Sequence, residues 1–283
     1  MMKVIPGRLN FFCLICIFIC IETVSYADGG LYLFPKGAKA TGMGKNGLLN
    51  IDVWSVYNNQ AALAHIENIS AGLHYENKFT ANQLGISAGA VAVPALTGTF
   101  GLDIAHMGID DYGETRVGAG YGKKLMKRLS IGIQFNYHLL NFTSGYPGFS
   151  TFTGEVGLLA EPLDNLFIGV HVFNPTFARL NSQYEDPVPV IFETGAGYVI
   201  AGKLMLTAEI EKARYGDMSP RFGIDYSLFK SMNLRAGVSL NPAEVCFGAG
   251  WTAKKKLVLD FSVYYHEILG YSPQISLSYC FGK

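Results

Sequence analysis

Residues 129–142 read LSIGIQFNYHLLNF, and the spacing inside them decides the fold. Ile131, Ile133, Phe135, Tyr137 and Leu139 fall on one side, and Gly132, Gln134, Asn136 and His138 on the other. Side chains of an extended chain point alternately to opposite faces, so a period of two predicts a strand with one apolar face. The pattern recurs in both directions along the chain. Ile69, Ala71, Leu73 and Tyr75 oppose Ser70, Gly72, His74 and Glu76, and Phe222, Ile224, Tyr226 and Leu228 oppose Arg221, Gly223, Asp225 and Ser227. Leu257, Leu259, Phe261, Val263 and Tyr265 likewise oppose Val258, Asp260, Ser262, Tyr264 and His266.

Extending outward gives fourteen segments, at 69–79, 83–94, 98–107, 115–123, 129–142, 149–160, 166–173, 190–200, 204–212, 221–229, 232–240, 244–253, 257–266 and 273–281. Most approach the roughly 9–11 residues that a tilted strand needs to cross a bilayer. A soluble sandwich has the same alternation. Fourteen strands joined as simple hairpins, with no helical insert, must close or split. The expectation is all-β, a 14-stranded antiparallel transmembrane β-barrel with an N-terminal plug inside its lumen. Pro94, Pro147, Pro162, Pro175, Pro187, Pro189, Pro220, Pro242 and Pro273 are expected in turns or at strand ends, where no ladder bond is lost.

Composition fits apolar residues dispersed along strands. Mean hydropathy is +0.23, with 33 glycines and 13% aromatic residues, yet nothing after Val24 is a continuous apolar span. A formal net charge of zero gives no sign of nucleic-acid binding. Residues 1–27 read as a signal peptide: Lys3 and Arg8, an apolar run over 11–24, then Ser25-Tyr26-Ala27. Ile19 stands before Cys20 where a lipoprotein signal wants a small residue. Export to a Gram-negative outer membrane follows, with outer-membrane lipid as the first partner. Cys246 and Cys280 are placed two strands apart and are expected as free thiols on the lumen side.

The plug is read from residues 37–64, GAKATGMGKNGLLNIDVWSVYNNQAALA, the one long stretch beyond the leader without strand alternation. Small residues allow close backbone packing, and Val53, Trp54, Val56 and Tyr57 give the stretch something to bury. Taken alone it reads equally as a helix on the outside of a soluble domain. Within a barrel, residues 28–68 become an N-terminal periplasmic or plug segment and residues 69–283 the barrel. Glu76, Asp103, Arg116, Glu155, His171, Glu193, Glu209, Glu211, Arg221, Asp225, Arg235, Glu244 and Asp260 share the inward parity, where both signs of charge are expected to pair. Many glycines share it too, which implies room inside for a filling segment.

Turn lengths orient the barrel. Short connections near Ala95, Leu125, Leu163, Gly202, Ser231 and Lys255 are assigned to the periplasmic side, and longer ones, above all 174–189, to the exterior. Lys124, Lys127, Arg128, Lys203, Lys230 and Lys254–Lys256 collect on the inner side. Phe177, Leu180 and Tyr184 in the longest loop are a candidate surface for an apolar ligand or a partner protein. Ile275, Leu277, Tyr279 and Phe281 alternate to an aromatic near the C-terminus, in keeping with outer-membrane assembly.

The exported barrel, the small-residue run and DVWSVYNNQAALA together resemble the FadL-like outer-membrane barrels, in particular the PorV/PorQ group of Bacteroidetes-type bacteria. Gly37, Ala38, Ala40, Gly42 and Gly44 match a glycine-alanine run of that group. Asp52, Val53, Asn59, Ala61 and Leu63 match an Asp-Val and Asn-Pro-Ala-Gly-Leu-like motif; Gln60 replaces the usual proline and Ala62 the usual glycine. The resemblance implies a non-enzymatic role in type IX secretion, shuttling or attaching exported cargo with secretion-machinery proteins as partners. Its alternative is uptake of a hydrophobic small molecule through a periplasm-facing hatch and a lateral gap in the wall. The hatch residues would be Gly37, Ala38, Gly42, Gly44, Asp52, Val53, Asn59, Ala61 and Leu63.

A lipid hydrolase is the third reading, and it needs a histidine beside a nucleophile. His138 with Ser130 or Ser144, and His266 with Ser262, are the candidates, and neither lies in a recognisable motif. No metal-site spacing and no cofactor motif is read; GAGYG at 118–122 lies in a predicted strand rather than at a strand-to-helix turn.

Overall fold

The computed structural model describes residues 36–109, 112–142, 148–181 and 186–282, so the expected signal peptide lies outside the described residues. Fourteen strands form one closed antiparallel barrel: β1 (Ser70–Asn77), β2 (Gly85–Ala95), β3 (Gly98–Ile109), β4 (Tyr112–Met126), β5 (Leu129–Phe142), β6 (Phe149–Leu163), β7 (Leu166–Phe173), β8 (Ile191–Ile200), β9 (Leu204–Ala213), β10 (Met218–Phe229), β11 (Met232–Ser239), β12 (Glu244–Ala253), β13 (Leu257–His266) and β14 (Gly270–Cys280). Each strand pairs with its sequence neighbours. The ring closes where β14 meets β1, from Ser70↔Cys280 to Glu76↔Gln274. Beyond that ladder the Phe281 amide donates to the Ile69 carbonyl at 2.7 Å. A small arm, Arg179–Asn181 paired with Asp186–Pro187, projects between β7 and β8.

Alternation places the two faces as the sequence implies. Leu73, Phe135 and Phe152 are about 70% exposed on the outside (67%, 69% and 71%), a cost in water but the required surface in hydrocarbon. Asp103, Arg116, Glu155, His171, Glu193, Arg221, Arg235 and Asp260 are buried on the inside. Cys246 and Cys280 are free thiols. The connections at one end span two or three residues, whereas 78–84 and 174–190 extend the other end.

Two prolines sit deeper than expected. Pro220 is the third residue of β10 and Pro273 the fourth of β14. The β10–β11 ladder begins at Arg221↔Ser239 and the β14–β1 ladder stops at Gln274↔Glu76. Each proline therefore lies one residue past the end of the ladder on one side, where its missing N–H removes no ladder bond.

Candidate functional site in the lumen

Residues Lys36–Ile66 pack against the inward faces of the strands. Three short helices, α1 (Ala38–Gly42), α2 (Ser55–Asn58) and α3 (Gln60–Leu63), are joined by tight turns. Gly37 and Gly44 have φ of 83° and 76°, a region that disfavours side chains, and both positions are crowded besides. A Cβ on Gly37 would lie 2.7 Å from the Trp54 ring, and one on Gly44 2.7 Å from the carbonyl oxygens of Phe222 and Val238. The Asp52 carboxylate accepts from the Trp54 amide at 2.9 Å. Burial pushes the Asp52 carboxyl above the ordinary range, with Lys39 at 3.9 Å opposing the shift. Asn59 caps α3 by accepting from the Ala61 amide at 3.1 Å.

The segment is tied to the wall on many sides. The Ala38 amide donates to Ser276 Oγ (2.8 Å) and the Leu48 amide to Glu209 Oε1 (3.1 Å). The Tyr57 hydroxyl donates to the carbonyls of Gly89 (3.1 Å) and Ile104 (2.8 Å). Asn59 Nδ2 donates to the Leu158 carbonyl (3.1 Å), and Gln60 Nε2 to Glu155 (2.6 Å). Between these ties, wall glycines admit the segment's backbone. Gly42 packs on the Cα of Gly248, Ala61 lies over Gly132, and Leu63 fits beside Gly101. Val53, Trp54, Val56, Tyr57 and Leu63 form an apolar cluster with Ile86, Ala88, Ala90 and Ala92 of β2.

A belt of ionisable side chains girdles the same lumen. Arg116 reaches Asp103 (3.5 Å) and Glu155 (2.7 Å), His171 bridges Glu155 (2.9 Å) and Glu193 (3.0 Å), and Arg221 bridges Glu193 (3.2 Å) and Glu211 (2.6 Å). Lys36, at the start of the segment, joins this belt at Glu193 (2.6 Å). Arg235 forms a second node with Asp225 (3.3 Å) and Asp260 (2.6 Å). Buried charges are tolerated only when compensated in this way.

The long-loop end of the lumen carries an apolar cluster. Leu140, Phe173, Val188 and Ile191 are buried against Tyr112, Phe142 and Phe149. The Phe142 ring is 5.5 Å from Tyr112 and 6.3 Å from Phe149, both edge to face. Asn174 fixes the loop above them, donating to the Val188 carbonyl (2.8 Å) and accepting from the Ala178 amide (2.9 Å). Opposite, the β1–β2 connection folds inward: Phe79 meets Tyr264 and His266 edge to face, and its amide donates to Ser272 Oγ at 2.7 Å.

These aromatics at the mouth were missed in the sequence, although inward parity at the outer ends of β4 to β7 points to them. Of the loop residues singled out in the sequence, only the Phe177 side chain is among the described residues. Phe177 is exposed with the Arg214 guanidinium 4.9 Å over its ring; the Leu180 side chain and all of Tyr184 lie outside the described residues. Among the described residues, neither His138 with Ser130 nor His266 with Ser262 is assembled as a hydrolase pair. His138 bonds Thr153 (2.9 Å) and Ser130 bonds His65 (2.9 Å), while His266 accepts from the amides of Ile268 and Leu269; Ser144 lies outside the described residues.

Among the described residues, the ladders show no lateral gap of the kind the resemblance implies. β2–β3 and β3–β4 run in continuous register, and the irregularities at Lys124/Met126, Ala160/Leu163 and Ser227/Phe229 all lie at the short-turn end. On the outer surface, Gly89 floors a notch of about 420 Å³ walled by Leu73, Val91, Leu102, Ile104 and Tyr279.

Solved structures share this architecture. The CymD monoaromatic hydrocarbon channel aligns over 89% of this chain and 100% of its own, with a TM-score of 0.70 at 12% identity. The Ralstonia pickettii toluene transporter TbuX aligns over 87% of this chain and 98% of its own (TM-score 0.66, 14% identity). The fold is that of the FadL-type outer-membrane barrels. A Pseudomonas aeruginosa FadL homologue aligns over 87% of this chain and 98% of its own at a TM-score of 0.61 and 13% identity. No protein-family model and no curated protein matches the sequence.

Proposed function

We propose that this chain is an outer-membrane channel that passes small hydrophobic molecules, with residues 36–66 as the plug that closes it at rest. The observation that carries the reading is the aromatic mouth of Tyr112, Phe142, Phe149 and Phe173 above a lumen filled by a segment held only through non-covalent ties. An apolar solute would leave water at the mouth, where burial of its surface is favourable. It would then travel inward only as the plug yields. Outside the wall, beside the Gly89 carbonyl that Tyr57 bonds, the apolar notch would offer a hydrophobic solute a resting place against lipid. The shared fold with hydrocarbon channels supports the reading without fixing the solute. No catalytic step is needed.

The test is uptake of radiolabelled toluene by cells that lack their own hydrocarbon channels, with and without this chain. Expression should raise the initial rate, and Phe142→Asp with Phe149→Asp should abolish the gain while the barrel stays folded. An unchanged rate on expression would sink the transport reading. The secretion reading implied by the PorV/PorQ resemblance has no counterpart among the three structures named above. It would gain support if native mass spectrometry of the extracted protein retained an exported protein instead of a small molecule.

A further inference from the structure

The short-turn rim carries charge that the lumen does not use. Lys123, Lys124, Lys127, Arg128, Lys203, Lys230, Lys254, Lys255 and Lys256 lie in or beside the two- and three-residue turns, against the carboxylates Glu67, Glu161 and Asp164. The whole chain has a formal net charge of zero, so this is segregation rather than general basicity. Among the described residues, Arg128 is paired with Asp164 (2.5 Å), and none of the eight lysines has a carboxylate within ion-pair distance. Lys254 and Lys255 both have positive φ, 49° and 60°, in the β12–β13 turn.

The same turns expose large apolar side chains. Leu96 is 89% exposed, Met126 70%, Phe229 65%, Leu163 64% and Leu125 53%. Isolated exposed apolar residues are ordinary, but here they recur from turn to turn beside unpaired lysines and continue the apolar belt of the strands. That combination suits a layer that is part hydrocarbon and part charge, with lysine stems along the apolar zone and ammonium groups at its edge. Bulk water suits only half of it.

We infer that the short-turn rim is a binding collar for anionic phospholipid headgroups of the periplasmic leaflet. Each ammonium would lie near lipid phosphates, and the apolar tips between them would anchor the turns at headgroup depth. A lysine beside an anionic surface contributes about 1 kcal/mol, or about fivefold in local partition, and the effect falls within a Debye length. The collar would hold the barrel at a fixed depth and orientation, independently of what passes through the lumen.

The experiment uses the full chain in phosphatidylcholine nanodiscs that contain a minor fraction of phosphatidylglycerol, with the lipids retained on gentle release counted by native mass spectrometry. Phosphatidylglycerol should be enriched at least fivefold over its bulk fraction, and the enrichment should collapse in 0.5 M salt. Lys203→Gln, Lys230→Gln, Lys254→Gln, Lys255→Gln and Lys256→Gln together should lower it severalfold, leaving only the share held by Lys123, Lys124 and Lys127. Lys212→Gln with Arg214→Gln, at the opposite end, should leave it intact. Heat-modified migration in gels verifies closure of every variant, and the salt arm reads the wild-type protein even if a variant misfolds. Equal retention of both lipids by the wild type, salt-insensitive enrichment, loss only in the opposite-end variant, or retention of an acidic protein in place of lipid from native membranes would each overturn the assignment.

Discussion

Gly237→Ala is the sharpest perturbation of the luminal packing. Gly237 lies on the inward face of β11, between Gly223 of β10 and Cys246 of β12. A methyl group there would overlap the Gly44 amide nitrogen and the Met43 carbonyl carbon, both main-chain atoms, so no side-chain rotation relieves it. Overpacking a filled site costs about 1–3 kcal/mol, and with backbone on the far side the upper end applies. At 1.4 kcal/mol per tenfold, about 3 kcal/mol raises the undocked population of the segment roughly 100-fold. Gly89→Ala is the matched control: its Cβ would point towards lipid, with Ile104 Cγ2 at an ordinary 3.7 Å. Hydrogen exchange of the reconstituted protein reads this directly through peptides covering residues 38–63. The control should match the wild type while Gly237→Ala exchanges about 100-fold faster, with the barrel still closed by its gel mobility. Unchanged exchange in Gly237→Ala, or an equal rise in both variants, would refute the packing argument.

Arg116→Met would strand Asp103 and Glu155 without their shared cation and should cost about 3–5 kcal/mol, read as a lower urea midpoint in micelles. Phe261→Arg, at the middle of β13 and 52% exposed, should cost about 2–4 kcal/mol in lipid, whereas Leu259→Arg, nearer the short-turn end, should cost less; equal costs would misplace the midplane. His65 leads from the segment towards β1, and burial together with Lys124 holds its imidazole below the ordinary value. Its docked state therefore disfavours the proton: the stabilisation is complete above pH about 6.5 and is lost as pH falls through that value towards the docked pKa. Protection factors at residues 64–67, taken relative to the intrinsic exchange rate at each pH, should fall between pH 7.5 and 5.5, and His65→Gln should flatten that fall.

Strand number, order and the facing of almost every side chain were legible because period two survives any local irregularity and a one-residue slip would put charge into lipid. Parity told that most wall glycines face inward but not what they meet. Gly122 and Gly132 contact the segment at Gln60, whereas Gly118 and Gly120 face the polar side chains of Asp103 and Gln134. That difference depends on where the segment turns within the lumen, and no strand carries a record of it. The aromatic mouth was hidden for a related reason: Phe142, Phe149 and Phe173 sit at strand ends, where apolar residues read equally as membrane-facing. Pro220 and Pro273 were placed at strand borders because their acceptability inside a strand rests on how far the neighbouring ladder extends.

The seam between β1 and β14 joins residues 70–76 to residues 274–280, whereas the other ladders join strands close in sequence. Hairpins can form as soon as their halves exist, but this last pairing waits for the whole chain. Lys36–Ile66, tied to strands from β2 to β14, lies inside the ring that the seam completes. Order of assembly then becomes part of the molecule's design: the wall must be wound around its occupant. A misfit such as Gly237→Ala would accordingly delay closure of the ring as well as loosen what it holds.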